Sequence, residues 1–128
     1  MPSAFQIDKQ DGAYFTTSTV VGWVDLFIRD SYKQFICDNL NYCIDNFGLQ
    51  IYAYVIMPSH LHMISSAINN DLSKVIGNLK KYTSRELIKM VKSPRESRRD
   101  WMLPIFKNAG DKNPRNKNYQ VWQQDNHA

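Results

Sequence analysis

Between residues 51 and 67 the chain reads IYAYVIMPSHLHMISSA. Ile51, Ala53 and Val55 alternate with Tyr52, Tyr54 and Ile56, the run breaks at Met57-Pro58-Ser59, and alternation resumes with His60. In an extended strand, side chains two apart share a face. The pattern therefore predicts two strands joined by a tight turn. His60, His62, Ile64 and Ser66 then lie on one face of the second strand, and Leu61, Met63, Ser65 and Ala67 on the other. The Leu61 side suits a core, and the opposite side carries both imidazoles.

The rest of the chain arranges itself around this pair. Residues 1–12 are polar and predict a loose start; residues 13–21 (AYFTTSTVV) are aromatic and β-branched and predict a first strand. An apolar link containing Trp23, Leu26 and Phe27 leads to Asp30-Ser31, a helix-starting pair. A helix over residues 31–47 follows, with Phe35, Ile36, Leu40, Cys43, Ile44 and Phe47 in one stripe and Gly48 as its stop. A second helix, residues 71–92, gathers Leu72, Val75, Ile76, Leu79, Thr83, Leu87 and Met90 on one side. Lys74, Lys81, Arg85 and Lys92 fall on the opposite side, with Lys89 nearby. Residues 93–118 read as a long loop, and residues 119–123 (YQVWQ) as a last strand.

The resulting order β, α, β, β, α, β is the split βαβ pattern. It predicts an α+β, ferredoxin-like fold: a four-stranded antiparallel sheet with two helices on one face and the other face open. At 128 residues the chain is expected to form one domain spanning 1–128.

Charge changes the picture. Residues 1–73 carry three Lys/Arg and seven Asp/Glu, a net of −4, whereas residues 74–128 carry thirteen and five, a net of +8. A basic C-terminal half fits a polyanionic partner, nucleic acid above all, and equally a solvated surface. Arg95, Arg98 and Arg99 extend the basic stripe into the loop, along with Lys107, Lys112, Arg115 and Lys117. Trp101 and Phe106 there are available for base stacking or for docking onto the body. No run is apolar for the roughly 18 residues of a membrane span, and the N-terminus lacks a signal-peptide pattern. Cys37 and Cys43, six apart in a helix, fit neither a disulfide framework nor a zinc site. A cytoplasmic protein with no membrane partner is the expectation.

A His-x-His pair alone is weak, because neutral imidazole is an ordinary half-buried strand residue. The context carries more: an apolar strand, then Met57-Pro58-Ser59-His60-Leu61-His62. That string resembles the signature of the REP-associated tyrosine transposases and the single-tyrosine insertion-sequence transposases, within the HUH endonuclease group. Ser59 stands where that family more often has Asn. The resemblance is specific over residues 54–64 and weaker from about Tyr14 to the end. It implies the same fold, with His60 and His62 holding Mg²⁺ or Mn²⁺. It also implies a DNA transposase that nicks and rejoins single-stranded or hairpin DNA through a 5′-phosphotyrosine, acting as a homodimer.

In the resembled family the nucleophile sits on a helix after the last strand, with an Asn or Gln one turn later as third ligand. Here the sequence ends at VWQQDNHA, so the expectation is a chain lacking that helix and incomplete or inactive as a nuclease. Tyr82, four residues before Glu86, is the substitute nucleophile to consider, set against a half-buried packing role. His127 reads as a tail residue. The rival expectation is a non-catalytic single-stranded nucleic-acid-binding module of the same fold, using Tyr52 and Tyr54 as stacking platforms.

Overall fold

A computed structural model describes residues 12–113 and 118–124. The expected loose start and His127, Arg115 and Lys117 lie outside the described residues. Strands β1 (Tyr14–Thr19), β2 (Leu49–Met57) and β3 (His60–Ala67) form an antiparallel sheet in the order β1-β3-β2. The central strand is thus the one that begins with the histidines. Helices α1 (Asp30–Phe47) and α2 (Leu72–Val91) follow β1 and β3 respectively, and α3 (Arg99–Asp111) follows α2.

The buried faces explain the layering. Tyr32, Ile36, Leu40 and Cys43 repeat at helical spacing along α1, and Leu72, Val75, Ile76, Leu79, Thr83, Leu87, Ile88 and Val91 along α2. They share one core with Leu61 and Met63 of β3. Gly48 ends α1 in the left-handed conformation (φ 73°), with its N–H donating to the Cys43 carbonyl. The helices therefore cover the Leu61 face, and the histidine face is left uncovered among the described residues.

Two expectations are corrected. The long loop over residues 93–118 contains α3, a thirteen-residue helix that includes Pro104. Its buried residues Met102, Phe106 and Gly110 recur every four positions, so a helical stripe was present beneath the helix-breaking residues. Phe106 is fully buried and docks on the body, while Trp101 stays half exposed.

The fourth strand is the second correction. The segment 118–124 lies beside β1 but makes one isolated bridge, Val20 with Trp122. Gln123 donates to the Thr19 carbonyl at 2.8 Å and Val21 to the Val121 carbonyl at 2.8 Å. Two further backbone donors of the segment go elsewhere: Gln120 N–H bonds the Phe106 carbonyl of α3, and Val121 N–H bonds Ser84 Oγ of α2. In a paired edge strand every second N–H enters the ladder; here Val121 and Gln123, two apart, donate to α2 and to β1 respectively, so the ladder does not continue. The described fold is α+β with a three-stranded antiparallel sheet and three helices, in place of the four strands and two helices of the ferredoxin-like expectation.

Candidate functional site

The turn that launches β3 is held from outside the sheet. The Pro58 carbonyl accepts from Phe27 N–H at 2.9 Å, and the Ser59 carbonyl from Val20 N–H at 2.9 Å. The first histidine thus follows a backbone fixed on two sides. On β3, Leu61 and Met63 are buried at 3% and 2% exposure, while His60 and His62 are partly exposed on the other face. Their ring centroids lie 5.6 Å apart, close enough for two metal–nitrogen bonds of about 2.0–2.1 Å to converge on one ion.

Neighbouring strands set what each imidazole can do. Thr17 of β1 pairs with His62, and its Oγ1 lies 3.0 Å from His62 Nδ1. When Nδ1–H donates to that oxygen, the lone pair of Nε2 faces outward, the form a metal ligand requires. His60 Nδ1 is buried without a hydrogen-bond partner among the described residues. Burial, and secondly the neighbouring His62, holds the His60 pKa below the usual imidazole value, which favours the neutral, ligating form.

Two aromatic rings bracket the pair. Phe15 of β1 lies nearly parallel to His62, with centroids 5.8 Å apart at 11°. Trp23, in the 3₁₀ turn after β1, meets His60 edge to face at 4.5 Å and 85°. Around them Val55, Met57 and Ile64 are exposed, so the imidazoles sit in an open apolar surface. Among the described residues there is no cluster of three or more His, Cys, Asp or Glu suited to an ion. The pair supplies two nitrogens of a coordination sphere.

The two tyrosines proposed as platforms diverge. A β-bulge between Ile51 and Ala53 breaks the alternation of β2. The Tyr52 hydroxyl reaches Ser66 Oγ at 2.9 Å, on the histidine face. The Tyr54 hydroxyl lies 3.8 Å from Cys37 Sγ of α1, on the helix side. They do not share a face. Tyr82 is half exposed on α2, with the Arg85 guanidinium 5.6 Å over its ring. Because α2 packs on the Leu61 face, the structure does not bring Tyr82 to the histidines. Glu86, its intended partner, is paired with Lys89 at 3.1 Å.

Of the basic residues, Lys74, Lys81, Arg85, Lys92 and Arg95 are exposed and Arg99 is partly so. Lys81, Arg85, Lys89 and Lys92 line a groove of about 680 Å³ between α2 and residues 118–124. Lys92 Nζ stands 4.6 Å over the Tyr119 ring in that groove. Arg98 does not belong to this surface. Its side chain is 15% exposed and pairs with Glu96 at 3.3 Å and Asp25 at 3.5 Å.

Sequence reading missed Thr17, Phe15 and Trp23. The repeated threonines of β1 were visible, but only the strand register puts Thr17 opposite His62. A family model described as "Transposase IS200 like" matches residues 25–103, a stretch that holds both histidines, α1 and α2. No curated protein matches the chain.

Proposed function

For a chain that belongs to the IS200-like transposase family, we propose a metal-dependent domain that binds single-stranded or hairpin DNA and presents one phosphodiester to the His60–His62 pair for nicking and rejoining. The observation that carries this reading is the pair itself. Two imidazoles sit side by side on a sheet face that the described residues leave uncovered, one beside Thr17 and the other with a buried nitrogen that has no partner among those residues.

His60 and His62 would hold Mg²⁺ or Mn²⁺, which when bound supplies Lewis acidity to a phosphate oxygen. Thr17 keeps the His62 ring from rotating, and by accepting from Nδ1–H it leaves Nε2 free for the ion. The Phe27 and Val20 N–H groups fix the turn before His60, so the pair is preorganised without the substrate. Lys81, Arg85, Lys89 and Lys92, on the helix side of the sheet and away from the histidines, attract DNA backbone that extends past the site, which makes affinity fall with salt. The nucleophile is not assigned to Tyr82, which lies across the sheet, nor to Tyr52, whose hydroxyl is engaged by Ser66. The exposed Phe15, Val55 and Ile64 on the histidine face support association with a second copy, since contiguous apolar surface favours burial.

The test is fluorescence anisotropy of a labelled single-stranded oligodeoxynucleotide, in EDTA and in Mn²⁺, for the natural chain and His60→Ala. The proposal expects Mn²⁺ to tighten binding in the natural chain and to do nothing in His60→Ala. Equal affinity in EDTA and Mn²⁺ would instead favour a non-catalytic binding module. The exposure of Phe15 and Tyr52 on one sheet face is the observation on that side.

A further inference from the structure

β1 leaves the sheet through a tight turn whose geometry is unusual. Gly22 (φ 64°, ψ 12°) and Trp23 (φ 55°) are both left-handed. Trp23 N–H donates to the Val20 carbonyl at 3.0 Å and Val24 N–H to the Val21 carbonyl at 3.3 Å. Glycine adopts this conformation freely, but a bulky side chain there is strained. Asn70 (φ 57°) is the other such non-glycine among the described residues, and asparagine tolerates it.

Burial does not compensate Trp23. Val24 beside it is 4% exposed, yet Trp23 is 68% exposed, the highest of the large exposed apolar residues described. The turn is anchored on its far side: a Cβ on Gly22 would lie 3.2 Å from Ile105 of α3. The backbone thus spends strain to hold an aromatic ring in solvent, edge-on to His60 at 4.5 Å. Strain of this kind gathers where a ligand is positioned.

We propose that Trp23 is a stacking platform for an unpaired nucleobase next to the phosphodiester held at His60 and His62. This rests on the preceding reading that the histidine face receives single-stranded DNA. Every base has a π-face, so one indole accepts any base and leaves sequence choice to other contacts. The ring stands beside the first imidazole, where a nucleotide attached to the bound phosphate would project its base. Phe15 occupies the opposite flank, beside His62, but on a regular strand and without strain.

The test compares the natural chain with Trp23→Asn and Trp23→Phe. Asparagine suits the left-handed backbone and removes the ring; phenylalanine keeps a ring. Binding of a fluorescent single-stranded 12-mer is measured in Mn²⁺, together with Mn²⁺ affinity and Tm. A second set of oligonucleotides carries one abasic site walked along the strand. The expected result is a 5- to 150-fold weaker affinity in Trp23→Asn, equivalent to about 1–3 kcal/mol. Trp23→Phe should recover most of it. Mn²⁺ affinity should stay unchanged and Tm should hold or rise, because the strain is relieved. One abasic position should weaken the natural chain and have no further effect in Trp23→Asn.

Unchanged DNA affinity in Trp23→Asn overturns the proposal. So does a fall in Tm with equal loss on every abasic probe, or a loss of Mn²⁺ affinity, each of which makes the indole a structural support. The histidine reading fails separately. If His60→Ala binds the 12-mer as the natural chain does while Trp23→Asn does not, stacking stands and the metal role falls.

Discussion

Glu96 sits in the segment between α2 and α3 with its side chain 3% exposed, surrounded by donors. Tyr32 of α1 donates to it at 2.6 Å, Arg98 N–H at 2.9 Å, and the Arg29 and Arg98 guanidinium groups lie at 3.3 Å. Burial by itself would raise its pKa; the Tyr32 hydrogen bond and the contacts from Arg98 outweigh it and bring the carboxyl from 4.5 to about 2. Its own burial, and secondly the hydrogen bond to Glu96, push the Tyr32 hydroxyl well above the usual phenol value. A carboxyl whose folded pKa lies below its unfolded one adds stability above about pH 4.5, and that stability drains away as pH falls toward 2. By linkage the full amount is about 3 kcal/mol at pH 7. Glu96→Gln keeps the shape and removes the charge, so urea unfolding at pH 7 should show a loss of that size. At pH 3 the natural chain has already given up about 2 kcal/mol of it, and the two proteins should differ by little more than 1 kcal/mol. A difference that is the same at pH 7 and pH 3, or below 1 kcal/mol at pH 7, refutes the account of this network.

Three further outcomes are expected. Gly110→Ala places a Cβ into the Asn118 carbonyl, and backbone cannot yield as a side chain does. It should cost about 1–3 kcal/mol and raise proteolysis within residues 118–124, read by denaturation and limited digestion. Thr17→Val removes the oxygen that orients His62 and should weaken Mn²⁺ binding about 10- to 100-fold, with Thr17→Ser restoring it. Titration followed by electron paramagnetic resonance reads the difference. Lys81→Ala with Arg85→Ala should weaken single-stranded DNA binding at low salt and flatten the slope of log K against log salt by about 1–2, whereas Arg98→Ala should chiefly lower Tm.

The hydrophobic period made α1 and α2 legible, since Ile36, Leu40 and Cys43 or Leu72, Val75, Ile76 and Leu79 leave little choice of face. The face of β3 was legible for the same reason: Leu61 and Met63 alternate with the histidines and no bulge intervenes. α3 was hidden because Pro104 and a run of arginines look like loop, although Met102, Phe106 and Gly110 keep the helical spacing. Alternation on β2 misled, because a single-residue bulge moves Tyr52 to the opposite face from the one its neighbours predict. Arg98 illustrates a different limit. Its partner Asp25 lies 73 residues away, and only tertiary structure shows that this charge is spent internally. Thr17 and Trp23 depend on strand register and on a turn's dihedral angles, neither of which residue order reveals.

The central claim is that His60 and His62 together hold a divalent ion. Pulsed electron paramagnetic resonance of the Mn²⁺-loaded chain measures it directly, because imidazole nitrogens bound to the ion give resolved couplings. The account predicts nitrogen couplings in the natural chain, lost in His60→Ala with His62→Ala while circular dichroism shows the fold retained. Couplings that persist in the double variant, or Mn²⁺ bound without nitrogen in the natural chain, would contradict it.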